Sequence, residues 1–342
     1  MKTKGISISI AIIIILSVIY IIQQNSGIKK SETAGYIRLM SEKFKPSEVK
    51  KIEFYGRNNR EKGVILKRDD GADDKWRVAT LFESKANKGK IKKFLDDIKL
   101  MEGDLRASKP EVFSDFLISD EKAINIILYK DKDAVYKHLL LGKKGPGFGG
   151  NFVRFKENNS VFLIDKDLRS SIGIFGDDNE DNPDQKRWLD LEILSLTRDN
   201  ISNIVLKKKR GKEYILEKRE KEVQKEKKTD QEQTKEYEWY KKISGSEKTV
   251  EKSKINPLLS LISRVHAIDV TDPTDLDSYG LNDPVYTLTI TIEDGKKYQI
   301  FIGKQKEEAK GGGYYLKQSE DKTVYILAKS TYDNILKKIE EL

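Results

Sequence analysis

Cysteine is absent from the 342 residues, and histidine occurs only twice, at His138 and His266. The absence of cysteine excludes disulfide bonds, thiol catalysis, cysteine-ligated metals and a lipid-modified cysteine. His138 falls in a predicted strand and His266 follows a predicted apolar helix, in different halves of the chain. A shared metal site or a pair of catalytic histidines is therefore not expected.

Sequence motifs for catalysis and cofactor binding are also missing. There is no GxSxG, HExxH, P-loop or EF-hand pattern. The glycine-rich sequence GPGFGGN at 145–151 lacks the Lys-Ser/Thr pair and the following helix of a phosphate loop, so we interpret it as a turn or bulge. The SxxK sequences at 47–50 and 119–122 have no companion motifs.

Four aspartates in one short stretch offer oxygen atoms of the kind that bind Ca²⁺. They are Asp269, Asp272, Asp275 and Asp277. Their spacing fits no calcium-binding loop, and Asp is common in turns and helix caps, so we favour turns. The sequence thus predicts no catalytic, cofactor-binding or metal-binding residue.

The charges are numerous and mixed in sign. Lys and Arg total 65 against 56 Asp and Glu, which gives a net charge of +9. The two signs alternate along the chain, whereas a nucleic-acid site needs basic residues clustered on one face. We therefore expect a solvated surface and no nucleic-acid partner.

Residues 5–22 form an uncharged, isoleucine-rich run preceded by Lys2 and Lys4. At about 1.5 Å per residue this run spans roughly 27 Å, close to the hydrocarbon thickness of a bilayer. A cleaved signal peptide is the alternative, but no small-x-small cleavage site follows Ile22, so we favour an uncleaved signal-anchor helix within 1–30. The basic N-terminal pair places the bulk of the chain outside the cytoplasmic membrane.

The stretch 279–327 predicts an antiparallel meander. Leu288, Ile290 and Ile292 alternate with polar residues, and Asp294-Gly295 predicts a hairpin turn. A returning strand ends near Gly303, and the glycines at 311–313 lead to strands at 314–317 and 323–327. A C-terminal amphipathic helix is expected over 331–342.

The first half of the chain repeats this pattern. Residues 137–143 match 298–304, and the apolar helix positions of 88–100 match those around 255–262. Trp76 and Trp239 also recur at equivalent places, which suits a core role. Because several landmarks keep an offset of 161–164, we interpret the chain as an internal duplication.

The predicted fold is α+β: an N-terminal transmembrane helix followed by two tandem, similar domains, each an antiparallel-rich sheet with one main helix. The expected boundaries are a juxtamembrane segment over 31–46, domains over 47–176 and 200–342, and a connecting segment over 177–199. The connecting segment opens with the acidic sequence DDNEDNPDQ, but its Trp188 and following apolar residues look buried. The charged insertion around 217–238 favours a solvated hairpin extension or helix, with docking to an anionic partner or a lipid headgroup as the alternative.

The chain resembles the family known as domain of unknown function 4340. The similarity is most specific over 278–327, in SYGLNDP, the hairpin ending at Ile302-Gly303, GGGYYLK and TVYIL. The first copy departs from this pattern, with Phe116, Leu117 and Ile118 in place of Tyr279, Gly280 and Leu281. The resemblance implies a single-pass envelope protein, in some genomes encoded beside gliding-type ABC-transporter components, and it carries over no catalytic residue.

These features predict a non-enzymatic, membrane-anchored extracytoplasmic protein that acts as an interaction or accessory module. The expected partners are the lipid bilayer, through residues 5–22, and envelope proteins such as ABC-transporter components. The alternative is a protein that binds a small molecule or glycan between the two repeats. An envelope hydrolase is the third hypothesis, and a convergent pair of carboxylates in a pocket would support it.

Overall fold

The computed structural model describes residues 35–57, 59–71, 74–146, 150–175, 182–221, 236–308 and 312–342. The strands of the first half are β1 (Ile37–Arg38), β2 (Lys51–Gly56), β3 (Val64–Arg68), β4 (Trp76–Val78), β5 (Ser84–Lys85), β6 (Glu102–Ala107), β7 (Ile124–Tyr129), β8 (Val135–Lys144), β9 (Asn151–Phe155) and β10 (Val161–Ile164). Those of the second half are β11 (Glu192–Ser195), β12 (Ile201–Lys208), β13 (Glu213–Glu220), β14 (Tyr237–Ile243), β15 (Ser246–Val250), β16 (Arg264–His266), β17 (Asp269–Thr271), β18 (Tyr286–Ile292), β19 (Lys297–Gln305), β20 (Tyr314–Gln318) and β21 (Val324–Leu327).

Within the described residues, four α-helices accompany these strands. They are α1 (Lys88–Leu100), α2 (Leu168–Ser171), α3 (Lys252–Ser263) and α4 (Lys329–Glu341). The short 3₁₀ turns are Pro46–Glu48, Arg60–Lys62, Pro110–Phe116, Asp131–Asp133, Gln185–Trp188 and Arg198–Asn200. The predicted α+β class is confirmed at this level, as mostly antiparallel sheets with a few helices.

The two large sheets have the same strand order. The first runs β5-β4-β3-β2-β7-β8-β9-β10-β6-β1, and the second runs β15-β14-β13-β12-β18-β19-β20-β21-β17. In each, two pairs of strands precede the main helix and a four-stranded meander follows it. The small third sheet consists of β11 and β16, and β16 lies just before β17 in the chain. In the first half, β1 makes a similar pairing with the first residues of β6.

Irregularities in the strands also recur at the same places. A bulge separates Leu141 from Lys144 where β8 pairs with β9, and another separates Ile302 from Gln305 where β19 pairs with β20. Each bulge contains a glycine that faces a backbone carbonyl. A Cβ at Gly142 would lie 2.3 Å from the oxygen of Phe116, and one at Gly303 would lie 2.1 Å from the oxygen of Tyr279.

One continuous hydrophobic core extends through both halves. Trp188, which is 1% exposed, stacks on Phe54 with ring centroids 5.3 Å apart and meets the edge of Phe94 at 5.5 Å. Farther along the same segment, Ile193 and Leu194 are buried in this core. The prediction that the apolar residues after 185 are buried is confirmed for Trp188, Leu189, Ile193 and Leu194, whereas Leu191 and Leu196 are half-buried against the core.

The outer faces of the two sheets differ. The side chains of β7 are buried at all six positions, on both faces of the first sheet. In β18 only Tyr286, Leu288 and Ile290 are buried, and the alternate residues are half-buried. The first sheet is covered on its outer side by the segment from Pro110 to Ile118, which adds a second small apolar cluster with Leu140 and Phe152.

The residues that precede the first predicted domain belong to the fold. Ile37 and Arg38 pair with β6, while Met40 and Phe44 are 3% and 2% exposed in the core. The described part of the expected juxtamembrane segment, 35–46, is thus packed against the first sheet. Among the described residues, no helix has the length and apolarity needed to cross a bilayer. The run 5–22 lies outside the described residues.

Most of the charged insertion also lies outside them. β13 continues to Glu220 and β14 begins at Tyr237, and these two strands pair with each other up to that limit. The described flanks therefore belong to a hairpin whose connection, 222–235, is not described.

Candidate functional site

A cavity of about 330 Å³ lies between the two halves of the molecule. One side is formed by β4, β5 and the start of α1, and the other by the turn between β20 and β21. Asp190 of the connecting segment completes the wall. The lining residues are Asp74, Lys75, Trp76, Arg77, Lys85, Ala86, Lys88, Asp190, Gln318, Glu320 and Asp321.

Lys85 joins the three segments that meet at the cavity. Its ammonium group lies 2.7 Å from the Asp190 carboxylate, and its backbone carbonyl accepts a hydrogen bond from the Asp190 amide at 2.9 Å. Its own amide donates to the Thr323 hydroxyl at 3.4 Å. These bonds connect the connecting segment and the second half to the edge of the first sheet, so they hold the walls of the cavity together.

Asp74 sits at the mouth of the cavity between two cations. It lies 2.6 Å from Arg68 and 2.7 Å from Lys88. Burial raises the pKa of the Asp74 carboxyl, but hydrogen bonds and charge from Lys88 and Arg68 outweigh burial and hold the pKa below its usual value. Asp74 is therefore ionised near neutral pH.

Asp321 organises the opposite wall. Its carboxylate accepts hydrogen bonds from the Tyr325 hydroxyl at 2.8 Å and from the Thr323 amide at 2.9 Å. Burial raises the pKa of the Tyr325 hydroxyl, and the charge of Asp321 raises it further. Tyr325 thus remains a proton donor, and Asp321 fixes the β20–β21 turn.

The cavity as a whole is polar and carries charges of both signs. Four basic and four acidic residues line it, together with Trp76, Ala86 and Gln318. Such a wall suits a small polar or zwitterionic molecule better than an apolar one, because each charged end would find an opposite charge. Within the described residues, no group of three or more His, Cys, Asp or Glu side chains could hold a metal ion.

Comparison with models of protein families identifies the family of this chain. The model of a family described as Domain of unknown function (DUF4340) matches residues 76–284 and 243–342. The chain belongs to the DUF4340 family. The first match begins with β4 and the second at the end of β14, the strand in the corresponding position of the second sheet. Comparison with curated proteins and with solved structures gave no significant match.

The two histidines of this DUF4340 chain lie on different sheets. His138 is on β8, half-buried, with Nε2 2.8 Å from Asn125 Oδ1. Burial lowers the pKa of His138, and the positive charge of Lys156 lowers it further. His266 is exposed at the end of β16, opposite Glu192 of β11.

The four aspartates that follow β16 are engaged in turns and ion pairs. Asp269 pairs with Lys186 at 2.6 Å, and Asp272 accepts hydrogen bonds from the amide and hydroxyl of Thr274 at 2.9 and 2.7 Å. Asp275 accepts from the Ser278 amide at 3.3 Å, and Asp277 from the Asn282 side chain at 2.6 Å. These bonds agree with the turns predicted for this stretch.

The sequence predicts a core role for the two equivalent tryptophans and a turn or bulge for the glycine-rich sequence. Trp76 and Trp239 are 5% and 6% exposed, so the prediction of a core role is confirmed for both. Gly145 and Gly150 flank the connection between β8 and β9, where the amide of Gly145 donates to the carbonyl of Gly150 at 2.7 Å. These flanks have the geometry of a turn between strands, and 147–149 lie outside the described residues.

The cavity itself was not located from sequence. Its charged side chains come from three segments separated by more than a hundred residues, and none belongs to a motif. The only usable signal was the run of buried-looking residues after 185, which indicated that the connecting segment packs against both halves.

Proposed function

We propose that this chain is a non-enzymatic, membrane-anchored extracytoplasmic protein in which two repeated domains form an interaction module for an envelope complex. The domains are those expected over 47–176 and 200–342, and the first includes the packed residues from 35 onward. The shared strand order, the paired bulges and the paired glycines support the duplication.

The observation that carries the interaction role is the difference between equivalent rows on the outer faces of the sheets. In the first sheet the row is Ile65, Glu53, Ile127 and His138. In the second it is Ile215, Val205, Thr289 and Gln299, which we call the open row. Glu53 and Ile127 are 2% and 5% exposed, whereas every member of the open row is half-buried.

The open row therefore lies on a face that remains partly accessible. It joins three β-branched side chains and Gln299 across four paired strands, a composition suited to packing against another protein. Phe301 and Thr287, paired in the neighbouring row, extend the same face. An ABC-transporter component is the partner implied by the family resemblance.

The test is co-purification of partners from detergent-solubilised membranes that contain the full chain. Thr289→Lys and Val205→Lys should abolish recovery of a partner that the unmodified chain retains, because each places a charge at the centre of the open row. Val135→Lys, at a position that is 58% exposed on β8, is the matched control and should leave recovery unchanged. Equal recovery with all three variants, or no transporter subunit with the unmodified chain, would contradict the proposal.

Membrane anchoring is tested separately. We expect the full chain to resist alkaline carbonate extraction, and a periplasm-active reporter fused after Leu342 to be active. Complete extraction by carbonate, or activity of only a cytoplasmic reporter, would overturn the anchor and the orientation.

The cavity between the halves supports a second candidate function, the binding of a small polar molecule. Its volume lies at the lower end of the range of ligand pockets, and its wall offers both signs of charge. We expect one probe among free amino acids and neutral disaccharides to raise the Tm of the full chain, and Lys88→Met to remove that shift while Lys92→Met retains it. Absence of any shift at millimolar probe concentration would exclude these two ligand classes.

A further inference from the structure

Exposed apolar side chains cluster where the chain enters the first sheet. Eight large hydrophobic residues are exposed among the described residues, and four of them lie on or just before β1, on β6 or at the end of α1. These four, which we call the N-terminal edge, are Tyr36, Ile37, Leu100 and Leu105. Their exposed fractions range from 48% to 55%.

Strand pairing places Ile37 and Leu105 on the same side of the sheet. Ile37 lies opposite Gly103 in the β1–β6 pair, and Leu105 is two residues farther along β6, on the same side. The amide of Leu39 donates to the carbonyl of Met101 at 3.2 Å, which continues the pairing toward Leu100. β1 is an edge strand, so no described strand pairs with its outer edge.

Only a short length of chain separates the N-terminal edge from the apolar run 5–22. The apolar run ends at Ile22, and the twelve residues 23–34 separate it from the start of the described chain. Twelve residues span at most about 40 Å even when fully extended. Of all the exposed apolar residues, those of the N-terminal edge are tied most closely to the run, so an anchored run would hold this edge near the membrane at high effective concentration.

The charged residues around the edge are mixed. Arg38, Lys99 and Arg106 alternate with Glu102 and Asp104, and Arg106 pairs with Asp104 at 2.9 Å. Tyrosine and long basic side chains are suited to the boundary between lipid headgroups and hydrocarbon. Since the charges nearly cancel, contact with a bilayer would depend on the apolar side chains and little on anionic lipid.

We propose that the N-terminal edge lies against the surface of the lipid bilayer and fixes the orientation of both sheets relative to the membrane. This inference rests on the anchor of the proposed function. Ile37 and Leu105 insert at the level of the headgroups, Tyr36 and Leu100 flank them, and the two sheets extend away from the membrane.

The absence of cysteine makes a direct test possible, because any introduced cysteine is the only labelling site. Full-length Ile37→Cys and Leu105→Cys are labelled with a small fluorophore and reconstituted in nanodiscs of zwitterionic lipid that carries a nitroxide below the headgroup. Val135→Cys and Ile268→Cys, at 58% and 52% exposure on other elements, are the matched controls. Ile13→Cys, inside the apolar run, reports insertion of the anchor.

We expect at least twofold quenching at positions 37 and 105 relative to nitroxide-free nanodiscs, and no quenching at 135 and 268. Quenching at 37 and 105 no greater than at the controls, while position 13 is quenched, would overturn the membrane contact but leave the anchor intact. Absence of quenching at position 13 would instead refute the anchor and the inference that rests on it. Replacing a third of the lipid with an anionic one should change the quenching at position 37 by less than a factor of two.

Discussion

Leu117 and Gly280 occupy the same place in the two halves, and both have left-handed backbone conformations, with φ of 53° and 67°. Each lies one residue after the carbonyl that contacts the bulge glycine, that of Phe116 or Tyr279. The fold therefore imposes the left-handed conformation in both halves, and only the second uses the residue that adopts it without strain.

This difference predicts unequal effects of exchange. Gly280→Leu should lower the free energy of unfolding by about 1–2 kcal/mol, because a non-glycine residue is strained in this conformation. Leu117→Gly should change it by less than about 1 kcal/mol, since relief of strain is offset by lost burial and a more flexible unfolded chain. Urea denaturation of the full chain measures both, and equal destabilisation by the two variants would contradict the shared conformation.

The bulge glycines give a second prediction. Gly142→Ala and Gly303→Ala should each destabilise by about 2–3 kcal/mol, because the new methyl group meets a backbone oxygen that cannot move without distorting the turn. Gly71→Ala is the control, since nothing lies within 4 Å of a Cβ there. Destabilisation by only one of the two substitutions would show that the two bulges are not equivalent.

Glu53 gives a third prediction, at the covered face of the first sheet. Its carboxylate accepts hydrogen bonds from Arg60 Nη2 at 2.6 Å and from the Tyr129 hydroxyl at 2.7 Å. Burial raises the pKa of Glu53, but these two partners outweigh burial and bring the pKa below its usual value. Glu53→Gln should therefore destabilise by about 2 kcal/mol at pH 7, less than the roughly 3–5 kcal/mol for breaking a fully buried pair, because Arg60 is largely exposed.

The lowered pKa of Glu53 also predicts how the stability of the protein changes at acidic pH. With a folded-state pKa below that of the unfolded chain, its contribution is present above the unfolded value near 4.3 and is lost as the pH falls through the folded value. The difference in unfolding free energy between Glu53→Gln and the unmodified chain should thus shrink below about pH 4. A difference that is constant from pH 7 to pH 3 would show that Glu53 is not held as a carboxylate.

His138 predicts a change at milder pH. Because its pKa is lowered on folding, its neutral form is favoured in the folded protein, and stability is lost as the pH falls below about 6.5 toward the folded-state value. His138→Gln should reduce the slope of unfolding free energy against pH just below about pH 6.5. His266→Gln is the matched control and should leave that slope in place; a slope unaffected by His138→Gln would refute the assignment.

Periodicity and turn chemistry predicted the regular elements well. The helix predicted over 88–100 has the same bounds as α1, whose buried residues are Ile91, Phe94, Leu95 and Ile98. The alternation of Leu288, Ile290 and Ile292 with threonine located β18, and Gly295 has the positive φ of 84° that its predicted turn requires. These signals are local, so they can be read without knowledge of the fold.

Features that depend on contacts between residues far apart in the sequence were not predicted. Glu53 alternates with Ile52 and Phe54 and would face solvent in a one-sided sheet, yet Arg60 and Tyr129 allow its burial. Met40 and Phe44 precede Pro46 in a segment too short to show periodicity, so their place in the core was missed. The cavity was missed for the same reason, because its charges meet only after both sheets have formed.

The position of Trp188 constrains the order in which this protein can be completed during synthesis. The strands of the first sheet end at Ile164, but the aromatic ring that stacks on Phe54 and Phe94 follows later in the chain. A nascent chain that ends before Trp188 has every strand of the first sheet and an unfilled centre. The first half therefore cannot complete its core until the connecting segment has been synthesised.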